Sequence, residues 1–291
     1  MIVNPNTLLR AGLLAVTMLS FSAWTGAQSP GYKNQNPPPA TTPDKAKTPA
    51  NNSLTLDDPN APPVNAEEEA AYKAFNDTPP AEQSKRIELG EAFVQKYPTS
   101  RYRPGIYSAL TMAYLQTNNV QKMEEVADKE IALNPNDVQV MAVVGQTLPR
   151  AMNSKTPDPE KQLAKAEQYD RKVIEITPTL PKPSHVTDED FASIKNQTLA
   201  MAHGGLGLVY VRRGKFSEAI PELNQAVTID PTPDPVNYYL LGMANVKASH
   251  FDDAVTAYNK CAALVGAMQE TCKSGALEAK KLASTQLSAP K

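Results

Sequence analysis

The chain repeats itself. Between Ala200 and Pro231, the residues Leu206, Gly207, Tyr210, Gly214, Ala219, Leu223, Ala226 and Pro231 set up a spacing. That spacing recurs 35 residues on as Leu241, Gly242, Ala254, Tyr258 and Cys261, with Gly266 at the Pro position and Asn245 at the Tyr position. An upstream copy carries Tyr107, Leu110, Tyr114 and Pro135, with Thr111 for the Gly and Met123 for the small residue. A fourth has Val144, Gly145, Ala166, Val173 and Pro178, interrupted by an insertion around Pro149 to Pro159, and a degenerate fifth spans 66–98. A unit this short cannot bury its own apolar face, so copies must stack and share one continuous core.

Within each unit the apolar residues follow helical spacing, and almost no strand alternation is present. The pattern predicts helices over 66–76, 81–97, 104–117, 120–133, 137–148, 159–176, 187–213, 216–229, 235–248, 252–265 and 268–286. Tyr97-Pro98, Asn134-Pro135, Thr177-Pro178 and Asp230-Pro231 close segments, because Pro cannot continue the hydrogen-bonded ladder. Most of these helices are too short to hold in water alone. The segment 187–213 is longer than its counterparts. Thr187 is a candidate N-cap, and Asp188, Glu189 and Asp190 suit the positive end of a helix that extends from the array.

The 200–231 spacing resembles the tetratricopeptide repeat, a helix–turn–helix unit of 34 residues. The resemblance covers about 66–286 and implies an all-α, right-handed superhelical solenoid of antiparallel helix pairs. The pairs fall near 66–98, 104–135, 138–178, 187–231 and 235–266, with a capping helix at 268–286 and a tail at 287–291. It implies that Leu206, Gly207, Tyr210, Ala219, Ala226, Pro231, Leu241, Gly242 and Ala254 serve repeat packing. The ending Tyr97-Pro98-Thr99-Ser100-Arg101-Tyr102 resembles the Tyr-Pro-x-Ser-x-Tyr turn of repeat proteins from bacterial envelopes.

Function in this family lies in the concave groove formed mainly by the first helix of each pair. Carried over, the groove falls on Met112, Gln116, Gln139, Gln146, Arg150, Leu208, Arg212, Tyr239, Met243 and Lys247. This mixed apolar and basic lining suits a protein or peptide ligand. The positions that match the family's carboxylate clamp hold Ser108, Met112, Val143, Met201 and Gly205, so that clamp is absent. A carbohydrate-binding envelope module using Tyr107 and Tyr239, or an accessory subunit of an enzyme complex, is the alternative.

The two ends of the chain read differently. Ala11 to Trp24 is an apolar run behind Arg10, followed by Thr25-Gly26-Ala27, the layout of a secretory signal peptide at 1–27. Its apolar part is shorter than the roughly 20 residues a spanning helix needs. Cleavage after Ala27 would leave an exported chain, periplasmic or secreted, with no transmembrane span; retention would leave an anchor. Residues 28–65 are rich in Pro, Asn, Thr and Ala, a composition of disordered linkers.

Composition excludes more than it assigns. Lys and Arg number 29 against 31 Asp and Glu, a net charge of −2, which argues against a nucleic-acid binder. His185, His203 and His250 are isolated and lack metal-ligand spacing, so no metal or other cofactor is expected. Gly204-Gly205-Leu206-Gly207 lies inside a helical pattern, unlike a phosphate-binding loop, and no Gly-x-Ser-x-Gly occurs. These absences point away from an enzyme. Cys261 and Cys272 lie eleven residues apart on consecutive helices, where either a disulfide or two small buried side chains fits.

Overall fold

A computed structural model describes residues 66–184 and 186–287. The expected signal segment 1–27, the linker 28–65, His185 and residues 288–291 lie outside the described residues.

Eleven α-helices make up the described residues. They are α1 Ala66–Asp77, α2 Gln83–Lys96, α3 Arg103–Gln116, α4 Val120–Leu133, α5 Val138–Ala151, α6 Pro159–Ile176, α7 Asp188–Arg212, α8 Phe216–Ile229, α9 Pro235–Lys247, α10 Phe251–Ala263 and α11 Gln269–Leu287. A short 3₁₀ turn, Thr177–Thr179, follows α6. Consecutive helices pair (α1 with α2, α3 with α4, α5 with α6, α7 with α8, α9 with α10), and α11 packs on α10 and α9. The first helices also stack on one another, α5 on α7 and α7 on α9. The result is the all-helical array of antiparallel pairs that the spacing predicts.

Three of the hairpins close on one turn. Asn118, Gly214 and Ser249 occupy equivalent places and all have left-handed backbones, with φ of 56°, 72° and 63°. After each, the next N–H reaches back five residues: Asn119 to the Tyr114 carbonyl, Lys215 to Tyr210 and His250 to Asn245. This satisfies a carbonyl that the helix end would leave bare. The α5–α6 pair lacks the turn because its insertion replaces it. There the sequence pattern stops α5 at residue 148, whereas the helix runs on through Pro149 to Ala151. Pro149 forgoes the bond its N–H would make to the Gly145 carbonyl, yet the helix continues past it, as α8 does past Pro221. Thr187 caps α7 as expected, accepting from the Asp190 N–H at 3.1 Å.

Inside the α7–α8 and α9–α10 pairs a glycine of the first helix receives a bulky side chain of the second. A Cβ at Gly207 would stand 2.6 Å from Leu223 Cγ, and one at Gly242 would stand 2.7 Å from Tyr258 Cδ1. Leu206, Tyr210, Ala219, Ala226, Leu241 and Ala254 are buried around these contacts. Pro231 differs from the packing role given to it: it is exposed, because it follows the end of α8 at Asp230 and meets solvent there.

The α5–α6 pair breaks the rule in chemistry, though not in geometry. Asp170 takes the place that Leu223 and Tyr258 hold in the next two pairs. It is fully buried, with neither carboxylate oxygen hydrogen-bonded. It sits between Gly145 of α5 and Gly205 of α7, where added Cβ atoms would come within 2.0 Å of Oδ1 and 2.4 Å of Oδ2. Burial, and the Glu222 carboxylate nearby, push the Asp170 carboxyl well above the ordinary range, which favours its neutral form in the core.

The array ends on a covalent link. Cys261 of α10 and Cys272 of α11 form a disulfide across 5.8 Å between Cα atoms, and both are buried.

The packing and the disulfide set testable outcomes. Gly145→Ala should lose about 1–3 kcal/mol in urea unfolding, because Asp170 is boxed by Gly205 and cannot step aside. In an Asp170→Ala background the same change should lose at least about 1 kcal/mol less, the coupling expected of touching groups. Reduction of the disulfide, which closes a loop of sequence separation 11, should lower stability by about 2–3 kcal/mol. Thiol titration of the denatured, unreduced protein should find neither cysteine free.

Candidate partner-binding groove

The residues assigned to the groove lie on four first helices: Met112 and Gln116 on α3, Gln139, Gln146 and Arg150 on α5, Leu208 and Arg212 on α7, and Tyr239, Met243 and Lys247 on α9. The structure does not treat them alike. Gln116 and Lys247 are exposed, and Met112, Gln139, Gln146, Arg212, Tyr239 and Met243 are half-buried. Leu208 and Arg150 are buried, at 1% and 3% exposure, and neither lines an open surface. The reason is crowding around the middle of the array. Helix α5 is enclosed by α4, α6 and α7, and 11 of its 14 residues are buried. Leu208 faces the core that α7 shares with α8 and α9.

Two further assignments change character. Tyr239 packs on Tyr258 of α10 with ring centroids 5.9 Å apart, so its ring is part of the wall. Burial raises its phenol pKa. Gln116 accepts a hydrogen bond from the Gln83 amide of α2, which ties the rim of α3 to the first pair.

Basic charge collects where α5 ends. Arg150 Nη2 lies 2.7 Å from Asp234 Oδ2, an ion contact without hydrogen-bond alignment that reaches from α5 past α7 to the N-cap of α9. Arg212 Nη2 lies 3.5 Å from the carbonyl of Met152, just past the end of α5. Desolvation lowers the Arg212 pKa. Cations at the C-terminal end of a helix also meet the negative end of its dipole.

A second buried acid underlies the groove at the other end of α5. Asp137 caps that helix, accepting from the N–H groups of Gln139 and Val140 at 3.1 and 3.0 Å. Glu130 of α4 is 1% exposed. Burial first, then the charge of Asp137 and a hydrogen bond to it, raise its pKa to about 9. At neutral pH Glu130 is therefore a neutral acid that donates to the Asp137 carboxylate. Ser108 of α3 also hydrogen-bonds Asp137. The periodicity gives no hint of these acids. Aligning the copies does, since Glu130 stands where Val173, Ala226 and Cys261 stand in the later pairs.

His203 of α7 lies 2.7 Å from Glu222 of α8, and His250 is the exposed N-cap residue of α10. Among the described residues, no group of three or more His, Cys, Asp or Glu side chains could hold a metal ion. Among them also, no helix is long and apolar enough to cross a membrane.

With this geometry the family match is informative. The tetratricopeptide repeat model matches residues 202–233, the α7–α8 hairpin. This segment is similar to a tetratricopeptide repeat. Among solved structures, MamA (RS-1, ArsTM double mutant) aligns at 17% identity and a TM-score of 0.50, covering 68% of this chain and 93% of that one. MamA from AMB-1 aligns at 18% identity and a TM-score of 0.46, over 66% of this chain and 94% of that one. A thermophilic TPR protein of Thermus thermophilus aligns at 17% identity and a TM-score of 0.43, over 76% and 99%. No curated protein matches the sequence.

The buried acids set a pH dependence. Glu130 has a folded pKa of about 9 against an ordinary value of 4.5. A raised folded pKa means its contribution is complete below the unfolded value and is lost as pH rises through the folded one. Glu130→Gln keeps a donor toward Asp137 without the ionisable group. Its stability relative to the wild type should therefore rise steadily between pH 5 and pH 9 and level off above, as read by urea unfolding. Asp170→Asn should likewise gain stability relative to the wild type as pH rises, since the parent carboxyl is also raised.

Proposed function

We propose that this chain is an exported, non-catalytic scaffold that holds a protein or peptide partner on its groove, in the assembly or maintenance of a cell envelope. The observation that carries the reading is the stack of first helices. Half-buried side chains of mixed character, Met112, Gln139, Gln146, Arg212 and Met243, are carried on successive first helices. A tetratricopeptide fold implies protein partners, and its use of a line of side chains from successive repeats suits an extended peptide or a helix. Met adapts its shape to a partner, while the amides and Arg212 supply orientation.

Export is supported by the three-part layout of residues 1–27 and by the disulfide, a bond characteristic of oxidising compartments. The carbohydrate alternative loses its aromatic platform. Tyr107 is buried, with the charged ends of Arg103 and Lys129 within 6 Å of its ring (5.8 and 5.9 Å), and Tyr239 is packed on Tyr258.

Affinity capture from an envelope extract, followed by crosslinking mass spectrometry, tests the groove. The wild type should retain partners that an Arg212→Glu, Lys247→Glu variant loses. Equal partner profiles would remove the groove from the reading. The intact mass of the protein recovered from its native cell tests export: it should correspond to a chain beginning at Gln28, and a full-length mass in a cytoplasmic fraction would overturn it.

A further inference from the structure

Arg150, Arg212 and Lys247 stand six residues after Val144, Leu206 and Leu241, the same place in three successive first helices. Two of them, Arg150 and Arg212, lie near the end of α5, Arg150 within it and Arg212 against the Met152 carbonyl just past it. Arg150 is the unusual one. It is 3% exposed, and its Nε and Nη1 have no hydrogen-bond partner. A guanidinium presents its donors as a planar fork that a carboxylate fills with both oxygens. Asp234 cannot do so. Its Oδ1 is committed to the Val236 N–H at 2.9 Å as the cap of α9, and only Oδ2 faces Arg150. The arginine is thus neutralised by one oxygen, in poor alignment, while its remaining donors stay unmet. Asp234 itself is partly open, with 29% of its side chain exposed.

We propose that Arg150, with Arg212 near the same helix end, is a recognition point for a carboxylate side chain of an acidic partner peptide, and that Asp234 occupies this point in cis until the peptide arrives. The inference rests on the groove reading and adds the partner's chemistry: Arg150 is closed off in the resting array and becomes accessible to the peptide only as Asp234 leaves it. A peptide carboxylate free of any capping duty offers both oxygens to the fork, which the internal one cannot. Displacing Asp234 also releases the tie from α5 to α9, so peptide capture and loosening of the array's curvature are one event.

The test uses fluorescence anisotropy with fluorescein-labelled hexaglutamate, and labelled hexaglutamine as the uncharged control. The decisive variant is Asp234→Asn, since asparagine keeps the capping acceptor and removes the competing charge. It should bind hexaglutamate at least fivefold more tightly than the wild type does, with no such gain for hexaglutamine. Adding Arg150→Gln to that variant should abolish the gain, with helicity by circular dichroism verifying that the fold persists. Equal affinity of the wild type and Asp234→Asn for hexaglutamate would overturn the proposal, as would a gain that survives Arg150→Gln in a folded protein. If those failures coincide with groove-dependent capture from the extract, the scaffold reading stands and the acidic ligand falls. If hexaglutamate binds as expected but capture does not depend on the groove, the scaffold reading falls.

Discussion

The array depends on how closely two helices of a pair can approach. A glycine on the first helix leaves a slot, and one side chain of the second helix fills it: Leu223 against Gly207, Tyr258 against Gly242. Because the slot has no Cβ, the occupant meets the helix backbone directly, and the crossing of the pair is fixed by that side chain's size. Tyr258 serves twice, since a Cβ on Gly275 of α11 would also come within 2.8 Å of its ring. The same tyrosine therefore seats both the last repeat and the helix that caps it. Where the slot holds Asp170 instead, the position is kept, but neither size nor polarity is. The acid is held between two glycines, and burial favours its neutral form.

Much of this is legible in the sequence. The 35-residue period, the small residues at Ala219 and Ala254 and the Pro stops locate the helices closely. They can do so because those signals act over one or two helical turns. Pro149 misleads, since a proline removes only its own N–H bond to the carbonyl four residues back and a packed helix can run past it, as α8 does past Pro221. The buried acids are hidden for another reason. Charged residues on a helix read as its wet face, and only the register of the neighbouring copies shows that positions 130 and 170 point inward.

The groove is the least legible part. The family's geometry assigns faces of α3, α5, α7 and α9 as if each helix had the same neighbours. It has not: α7 packs against α5, α6, α8 and α9, and the Arg150–Asp234 contact joins helices two pairs apart. Whether a side chain at a concave position is open depends on how tightly successive pairs curl. That curl arises from packing summed over several pairs, which no local window of sequence carries. Leu208 and Arg150 are lost to the groove for this reason, while the ends of the same line, Gln116 and Lys247, remain exposed.

The ends of the array are also secured differently. At the first pair, α1 meets the start of α3 through Tyr72 stacked on Tyr102 at 3.8 Å and the Tyr102 hydroxyl donating to Glu69 at 2.7 Å, contacts that separate freely once strained. At the far end the α10–α11 bridge is covalent. A stack of pairs whose contacts are only with neighbours unravels from whichever terminus opens more easily. In an oxidising compartment that direction is set: opening begins at α1 and travels toward the cysteines. A tug applied through the residues that precede α1 would then peel the array one pair at a time against a fixed far end, so a load on that side is relieved gradually.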